Sequence, residues 1–333
     1  MITLGIESSC DETACGLVDQ DLKVLANEVH SQVDMHAVYG GVVPEIAARA
    51  HLEKIDPVVR VALEKADLPL SAVDQVAFTR GPGLLGPLLV GASFARALAR
   101  VLDRPAVGVN HLEGHLGAAF LEEPTLAAPF LCLVVSGGHT EFVRVDPGLR
   151  YTLVGKTRDD AAGEAFDKCG KILGLGYPAG PVVARKAEGG RRDFVPLPRA
   201  LDQRDNFEFS FSGLKTAMLR YVQTHDRGFL EENMAHVCAS MESAVVEVLV
   251  KKSMQALEAE GLEVLAVVGG VSANRHLRER MLVEARKRGF RPIFPSPRYS
   301  GDNGAMIAAI AQLKWNLGIR ETEVSVLPSL RWA

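Results

Sequence analysis

The fold of this chain is decided at residues 130–150, which read FLCLVVSGGHTEFVRVDPGLR. An unbroken apolar run is followed by a small polar turn and then by two further short strand patterns. The same order begins at residue 2, and five positions in the two copies match at a spacing of 127 residues. The sequence therefore predicts a degenerate internal duplication. The matching pairs are Thr13 and Thr140, Val18 and Val145, Asp19 and Asp146, Leu22 and Leu149, and Lys23 and Arg150.

Strand patterns alternate with helical patterns along the rest of the chain, which predicts an α/β architecture. Val264–Val268 is continuously apolar, as is typical of a buried parallel strand. A helix is predicted to begin at Pro44 and to be kinked or broken at Pro57, because proline lacks a backbone hydrogen-bond donor. One long helix is predicted from residue 231 to residue 260.

The composition is that of an ordinary globular protein: of 333 residues, 47% are hydrophobic and 23% are charged. No apolar run approaches the roughly 18 uninterrupted residues that a membrane helix needs, so we expect no membrane association. The amino terminus carries no charged-then-apolar leader pattern, which makes the cytoplasm the expected location. The five cysteines are scattered without a Cys-x-x-Cys pair, which predicts reduced thiols rather than a disulfide framework.

Charge is distributed unevenly along the chain. Residues 1–127 carry 9 Lys and Arg against 17 Asp and Glu, whereas residues 128–333 carry 28 against 24. A polyanionic partner should therefore prefer the second part of the chain. The basic clusters there, within residues 185–192 and 278–288, are modest, and the second could equally be a solvated helix face. We expect the isolated chain to bind nucleic acid weakly at physiological salt.

Two histidines four residues apart, His111 and His115, lie on one face if their segment is helical. That spacing suits two imidazoles that bind one transition metal, although such a short pattern also occurs in histidines that merely pack or face water. Asp302 lies in a loop of small residues before a helix and is the natural carboxylate to complete the set. Its alternative role is that of a helix N-cap.

Three turns of small and polar residues follow predicted strands, at residues 7–13, 136–140 and 269–274. Backbone amides in such turns can point at phosphate oxygens, although small residues also occur there for steric reasons alone. Two turns at equivalent places in a duplicated fold, together with a third, favour a nucleotide site. Asp11 and Glu12 in the first turn would repel a phosphate unless a cation intervenes or they act as bases.

A metalloprotease motif would place a glutamate directly after the first histidine. Here Leu112 has that position, and the acid is Glu113, about 200° around the helix from His111. Proteolysis is therefore disfavoured. The chain also lacks the Gly-x-Gly-x-x-Gly and Walker lysine motifs, so Rossmann and P-loop sites are unsupported.

Several motifs, in order from residue 2 to about residue 317, resemble the tRNA adenosine threonylcarbamoyltransferase family, once named as a glycoprotease. The resemblance implies an actin-like α/β fold of two duplicated lobes, with nucleotide and metal in the cleft. We expect the first lobe to comprise residues 1–127 with 305–333, and the second to comprise residues 128–304. The motifs are SSCDET at 8–13, NHLEGH at 110–115, VSGGHT at 135–140, GEAFDK at 163–168, FSFSGLKT at 209–216, GGVSAN at 269–274 and SGDNG at 300–304.

The family's activity, carried over, is transfer of a threonylcarbamoyl group from threonylcarbamoyl-AMP to the exocyclic amine of an adenosine. That adenosine lies beside the anticodon in tRNAs that read codons beginning with adenine, and AMP is released. The resemblance also implies one divalent metal, Fe²⁺ or Zn²⁺, and a cleft that ATP, ADP or AMP can occupy. The implied partners are tRNA and accessory proteins, including a catalytically silent paralogue that could dock on the small-residue surface near residues 88–101 and a small ATPase.

The family's functional residues can be matched to positions of this chain. Asp11 and Glu12 are the candidate catalytic carboxylates. Two departures from the family pattern concern the nucleotide: Ala179 stands where a second glycine is frequent, and Ala184 stands where some members have an acidic ribose partner. The matching metal ligands are His111, His115 and Asp302, and the matching substrate contacts are Val134, Val135, Ser136, Gly137, Gly138, Asp167, Gly180 and Asn274.

Two further readings of the same pattern remain open at this point. One is an actin-like ATPase or sugar kinase, and the other is a catalytically silent interaction protein made of paired lobes. Neither requires the histidine pair. An acyl adenylate is already activated and needs no covalent nucleophile, which agrees with the lack of a Ser-His-Asp or Cys-His pattern.

Overall fold

A computed structural model describes residues 1–201, 203, 205–320 and 324–332 of the chain. These residues form two compact units. The first comprises Met1–Ala128, Pro147–Arg150 and Pro295–Ala333, and the second comprises Pro129–Asp146 and Tyr151–Phe294. The first unit thus takes in residues 295–304, a segment that the sequence pattern assigns to the second lobe. Within this unit the Ser296 amide donates a hydrogen bond to a carboxylate oxygen of Glu122 at 2.8 Å.

The regular elements of both units follow the predicted alternation of strands and helices. The strands are β1 (Ile2–Glu7), β2 (Glu12–Asp19), β3 (Val24–Ser31), β4 (Gln75–Gly81), β5 (Ala106–Asn110), β6 (Phe130–Val135), β7 (Thr140–Asp146), β8 (Arg150–Lys156), β9 (Val264–Val268) and β10 (Arg291–Ile293). The helices are α1 (Val33–Ala37), α2 (Pro44–Ala66), α3 (Leu85–Leu102), α4 (His111–Glu122), α5 (Ala162–Ile172), α6 (Gly180–Lys186), α7 (Ser212–Gln223), α8 (Arg227–Glu232), α9 (Met234–Glu260), α10 (Arg275–Arg288), α11 (Pro297–Ser300) and α12 (Gly304–Asn316).

The two units contain the same sheet. Within the described residues the first sheet has five strands in the order β3-β2-β1-β4-β5, and the second has five in the order β8-β7-β6-β9-β10. In each sheet the first strand pairs antiparallel with the next strand along the chain and parallel with the fourth. The predicted duplication and α/β class are therefore confirmed.

The duplication extends to individual backbone conformations. Leu22 and Leu149 lie 127 residues apart, each between the second and third strands of its sheet, and their φ angles are +63° and +56°. Left-handed conformations are uncommon for residues other than glycine, because the Cβ atom crowds the carbonyl group. Two leucines that adopt this conformation at equivalent turns indicate a common origin of the two halves.

The predicted break at Pro57 is wrong. Helix α2 runs for 23 residues through Pro57. An interior proline costs about 3 kcal/mol. Burial of Ile55, Val59 and Ala62 in the first unit's core offsets this, since each buried aliphatic side chain contributes about 1.5 to 3 kcal/mol. The predicted helix from residue 231 is also corrected, because α8 ends at Glu232 and α9 begins at Met234.

Helix α3 is long and rich in apolar residues. Among the described residues it is the one helix whose length and composition would allow it to span a membrane. It is not an uninterrupted apolar run, because Arg96 and Arg100 lie within it. In the first unit, its face made of Ala92, Ala95 and Ala99 packs into the core, whereas Leu85 and Leu89 are exposed.

In the second unit, β6 is buried along its whole length and lies between β7 and β9. Its carboxyl end leads into the turn at residues 136–140, and the parallel strand β9 ends beside it at the turn that precedes α10. Ligands bind at the carboxyl ends of parallel strands in open α/β sheets. The fold thus brings two of the predicted nucleotide turns to one edge of this sheet.

Candidate functional site

Helix α4 positions the two histidines in the first unit. Strand β5 ends at Asn110, whose side-chain oxygen accepts a hydrogen bond from the Leu112 amide, 2.9 Å away, and so caps the helix. His111 is the first residue of α4 and His115 lies one turn later. Both rings are buried, and their centroids are 4.6 Å apart. The helical arrangement that the spacing predicts is therefore present.

Asp302 lies next to Asn303, the residue that caps α12, and approaches the same two rings. One of its carboxylate oxygens is 3.7 Å from Nε2 of His111 and 3.4 Å from Nε2 of His115. Ligand atoms about 2.0 to 2.2 Å from one metal ion are separated from each other by roughly 3 to 3.5 Å. The two distances lie within about 0.2 Å of this range, so small side-chain adjustments would let the three residues hold one transition metal. Within the described part of the chain, these three residues form the group of side chains that could hold a metal ion.

The remaining ring nitrogen of His111 is held by neighbouring side chains. Its Nδ1 lies 3.1 Å from a carboxylate oxygen of Glu7 and 3.2 Å from the Ser9 hydroxyl oxygen. The Thr79 hydroxyl donates to the same carboxylate oxygen at 2.6 Å. A carboxylate behind a metal-binding histidine fixes the ring's orientation and tautomer. Sequence reasoning missed Glu7, although an acidic residue at the end of an apolar strand was the available signal.

Burial and charge perturb the pKa values of these groups in the metal-free protein. Burial raises the pKa of Glu7, but the charge and hydrogen bond of His111 outweigh it and hold the value at about 2. Burial lowers the pKa of His111, but the carboxylates of Asp302 and Glu7 raise it to about 9. Burial, opposed by His111 and reinforced by Glu7, raises the pKa of Asp302 to about 6.

In the first unit, Asp11 lies in the turn that follows β1, and Glu12 is the first residue of β2. The Ser31 hydroxyl donates to the Glu12 carboxyl at 3.1 Å. Burial and the neighbouring carboxylates of Asp302 and Asp11 raise the pKa of Glu12 to about 10. Glu12 is therefore protonated at neutral pH in the metal-free protein. Carboxyl groups this close to one another oppose each other's ionisation, and a cation bound among them would relieve that repulsion.

The second unit contains a cavity of about 690 Å³. It is lined by four of the predicted substrate-binding residues, Gly137, Asp167, Gly180 and Asn274. A volume in this range is typical of small-molecule sites. The structure thus brings together residues that are up to 137 positions apart in the sequence.

The other predicted substrate-binding residues are not part of the cavity wall. Val134 and Val135 are fully buried in β6, where they pair with β7. Ser136 is largely buried, and its hydroxyl oxygen accepts a hydrogen bond from the His139 amide at 3.2 Å. Gly138 is exposed. Within this unit, these four residues shape the turn that presents Gly137.

The cavity depends on close backbone packing around Gly137. A Cβ atom on Gly163, at the start of α5, would lie 2.6 Å from the Ser136 carbonyl oxygen and 2.8 Å from the Cα of Gly137. Any side chain at Gly163 would therefore displace the turn at residues 136–138. The motif at residues 163–168 carries part of the family resemblance, but the sequence does not reveal the steric reason for its glycine.

Asp167 and Ala184 line the cavity, whereas Ala179 lies behind the wall, next to Gly180. A carboxylate oxygen of Asp167 accepts hydrogen bonds from the amides of Ala179, at 2.7 Å, and Gly180, at 3.4 Å. This acceptor holds the start of α6. Ala179 is fully buried, whereas Ala184 lines the cavity and presents no polar group there.

Asn274 is fixed on both sides of its amide. Its side-chain oxygen accepts from the Leu277 amide at 2.9 Å and caps α10, and its nitrogen donates to Glu242 at 2.8 Å. Arg192 donates to the other carboxylate oxygen of Glu242 at 2.7 Å. His276 also lines the cavity, and burial together with Arg192 lowers its pKa. Sequence reasoning missed Glu242, Arg192 and His276, which come from three separate segments.

A family model described as tRNA N6-adenosine threonylcarbamoyltransferase matches residues 23–309. A relative with the same name from Symbiobacterium thermophilum is 50% identical over 330 residues, which cover 99% of this chain and 96% of the relative.

Two solved structures resemble the chain at low identity. HypF of T. kodakarensis has a TM-score of 0.61 at 13% identity, covering 98% of this chain and 49% of that chain. Component A of the Acidaminococcus fermentans (R)-2-hydroxyglutaryl-CoA dehydratase has a TM-score of 0.56 at 14% identity, covering 93% and 97%. At these identities the likeness concerns the fold alone, which is the actin-like fold that the sequence predicts. Since the family model spans most of the chain and the relative is half identical over nearly all of it, this chain belongs to the tRNA N6-adenosine threonylcarbamoyltransferase family.

Proposed function

We propose that this chain transfers a threonylcarbamoyl group from threonylcarbamoyl-AMP to the exocyclic amine of a tRNA adenosine and releases AMP. The substrate adenosine is the one adjacent to the anticodon in tRNAs that read codons beginning with adenine. One observation carries the proposal: the buried His111 and His115, together with the half-buried Asp302, lie in a chain half identical to a relative named for this activity.

The metal site proposed here consists of His111, His115 and Asp302. With three protein ligands it leaves coordination positions open, as catalytic sites do. A divalent ion there, Fe²⁺ or Zn²⁺, would supply Lewis acidity and a template for substrate oxygens. Glu7 would keep His111 in the tautomer whose Nε2 faces the ion, because its carboxylate accepts the proton of Nδ1.

The adenylate part of the donor is proposed to occupy the cavity of the second unit. Gly137 would face the phosphate and acyl end, with Val134, Val135, Ser136 and Gly138 shaping the turn around it. Gly180 and Asp167 would lie near the ribose, and Asn274 at the base. Because Ala184 offers no polar group, the ribose contact in this chain would rest on Asp167.

The transfer itself needs positioning more than covalent chemistry. The donor is an activated mixed anhydride, so attack by the tRNA amine requires alignment, proton removal and stabilisation of the departing phosphate. Asp11 and Glu12 are the proposed catalytic carboxylates. Burial and the carboxylates of Asp302 and Asp11 raise the pKa of Glu12 to about 10, and a cation held by Asp302 would lower it toward the range of a general base.

Partner proteins are proposed to help bind the tRNA. The chain is acidic overall, with a net charge of −4, and phosphate contacts supply most nucleic-acid affinity. The proposed docking site for a catalytically silent paralogue lies on α3, where Leu85, Leu89 and Val101 are exposed. A small ATPase is the second proposed partner. Tight tRNA binding by the chain alone at physiological salt would contradict the proposal that partner proteins are needed to bind the tRNA.

The experiment that tests the proposed function is a direct transfer assay. The chain, with its partner proteins, is supplied with threonylcarbamoyl-AMP and unmodified tRNA, and the digested tRNA is analysed by mass spectrometry. We expect the modified nucleoside and an equal amount of AMP. ATP-dependent phosphorylation of a hexose, without any modified nucleoside, would favour the sugar kinase instead. A metalloprotease is unsupported also because Glu113 forms a buried ion pair with Lys314.

A further inference from the structure

Glu113 lies on α4 between the two histidines and is ion-paired inside the first unit. Its carboxylate oxygen is 2.5 Å from the Lys314 ammonium nitrogen on α12, and the two side chains are 3% and 8% exposed. Glu113 is about 200° around the helix from His111, so it occupies a different face of α4 from the histidines. One helix therefore presents histidines on one face and a buried charge on another.

A buried ion pair is a poor device for stability alone. Desolvation of the two charges consumes most of their mutual attraction, so a matched apolar pair is often as stable. The best-supported use of such buried polar groups is to fix register between packed elements. The Glu113–Lys314 pair therefore calls for an explanation in terms of geometry.

The rest of the interface between α4 and α12 is made of small and apolar contacts. A Cβ atom on Gly114 would lie 2.6 Å from Cδ1 of Ile307, and one on Gly117 would lie 2.5 Å from the carbonyl oxygen of Met306. Such contacts bring the two helices close together. They limit how far α4 can move, and the Glu113–Lys314 ion pair adds a directional contact that specifies one register.

Register between these two helices determines the geometry of the candidate metal ligands. The histidines are on α4, whereas Asp302 lies next to Asn303, the residue that caps the first turn of α12. A rotation or slide of α4 against α12 would change the 3.4 Å and 3.7 Å distances from Asp302 to the two Nε2 atoms. Ligands that are displaced by more than about 0.5 Å from the geometry a metal requires bind it more weakly.

We propose that Glu113 and Lys314 are a positioning pair, whose buried contact fixes the register of α4 on α12 and thereby the geometry of the His111, His115 and Asp302 ligands. The inference rests on the proposed metal site. It adds a role for two residues that do not themselves reach the ligand atoms.

The test measures Zn²⁺ affinity of metal-stripped, full-length protein by competition with a chromophoric chelator. Lys314→Met should weaken Zn²⁺ binding by about 10- to 100-fold, the range for supporting residues of metal sites. Lys314→Arg keeps the charge but places a larger group in a buried site, so its Zn²⁺ affinity should lie between those of the wild type and Lys314→Met. The double variant Glu113→Gln/Lys314→Met leaves no uncompensated charge. It should melt close to the wild type and still bind Zn²⁺ about tenfold more weakly.

Val59→Ala is the matched control, because it truncates a buried side chain on α2, which packs against β2, β3 and α3. It should lower the melting temperature and leave Zn²⁺ affinity unchanged. Wild-type affinity in Lys314→Met, or an equal loss in Val59→Ala, would overturn the positioning role. His115→Ala separates failure of the proposed metal site from failure of the positioning role. Wild-type Zn²⁺ binding by His115→Ala would overturn the metal site itself. Loss in His115→Ala with wild-type binding in Lys314→Met would overturn the positioning role alone.

Discussion

The turn after β1 and the turn after β6 occupy equivalent places in two copies of one sheet, but their chemistry is opposite. The first, residues 7–13, carries three carboxyl groups and adjoins the candidate metal ligands. The second, residues 136–140, carries two glycines and borders a cavity. The first site is therefore built from buried charged side chains, and the second from close backbone packing. A duplicated fold preserves the positions at which ligands can bind, while the side chains there decide which ligand is bound.

The largest expected effect is on the first site, because it depends on individual side chains. His111→Ala and His115→Ala should each retain less than about a tenth of the metal that the wild type holds, at one ion per chain. Modified-nucleoside formation should fall with the metal content. Elemental analysis of the purified proteins measures this. His276→Ala, in the second unit, is the control and should keep its metal. Equal metal content in all variants would refute the ligand assignment.

In the second site, steric change should matter more than loss of a side chain. Gly163→Val should weaken AMP binding at least about tenfold, because its side chain would collide with the turn at Gly137 and introduce about 1 to 3 kcal/mol of strain. Calorimetric titration with AMP measures the effect. Gly213→Ala has no heavy atom within 4 Å of the new Cβ and should bind as the wild type does. Unchanged AMP affinity in Gly163→Val would show that this turn does not shape the site.

A smaller effect is expected from Asp167, because its observed hydrogen bonds go to the backbone. Asp167→Ala removes the acceptor for the Ala179 amide at the start of α6, and loss of such a cap costs about 1 kcal/mol. AMP affinity should fall about three- to tenfold. Asp167→Asn keeps an oxygen acceptor and should recover most of it. Equal losses in the two variants would indicate that the negative charge, and not the backbone contact, is what matters.

The smallest expected effect is on the pH dependence of stability, through His51, which contacts one of the two duplicated threonines, Thr13 and Thr140. Thr140 accepts a hydrogen bond from the Ala162 amide, whereas Thr13 contacts Nδ1 of His51 at 2.7 Å, and the other ring nitrogen lies 3.0 Å from the Cys10 carbonyl oxygen. Burial lowers the pKa of His51, so the folded protein holds it neutral. The unfolded chain binds a proton as pH falls below about 6.5, which lowers stability on the acid side.

This linkage predicts a measurable difference between pH 8 and pH 5. The melting temperature of the wild type should fall over that range by more than the melting temperature of His51→Gln, which cannot titrate. Replacement of Thr140 by valine should leave the pH dependence unchanged. Parallel melting curves for the wild type and His51→Gln would contradict the assignment.

Much of this organisation was predictable, because it follows from local patterns. The apolar runs gave β6 and β9 with their observed bounds, and the 127-residue spacing predicted the common topology. The His111 and His115 pair could be read from helical spacing. Glu7, Lys314 and Glu242 could not, since their roles arise from contacts between segments far apart in the chain. The continuity of α2 through Pro57 depended on core burial that a local rule does not include.

The most direct test of two separately built sites measures Zn²⁺ and AMP binding on the same two variants, His115→Ala and Gly163→Val. His115→Ala should lose Zn²⁺ and bind AMP within about threefold of the wild type, whereas Gly163→Val should lose AMP binding and keep its Zn²⁺ affinity. Loss of both ligands in both variants, at unchanged melting temperature, would contradict the separation of the two sites.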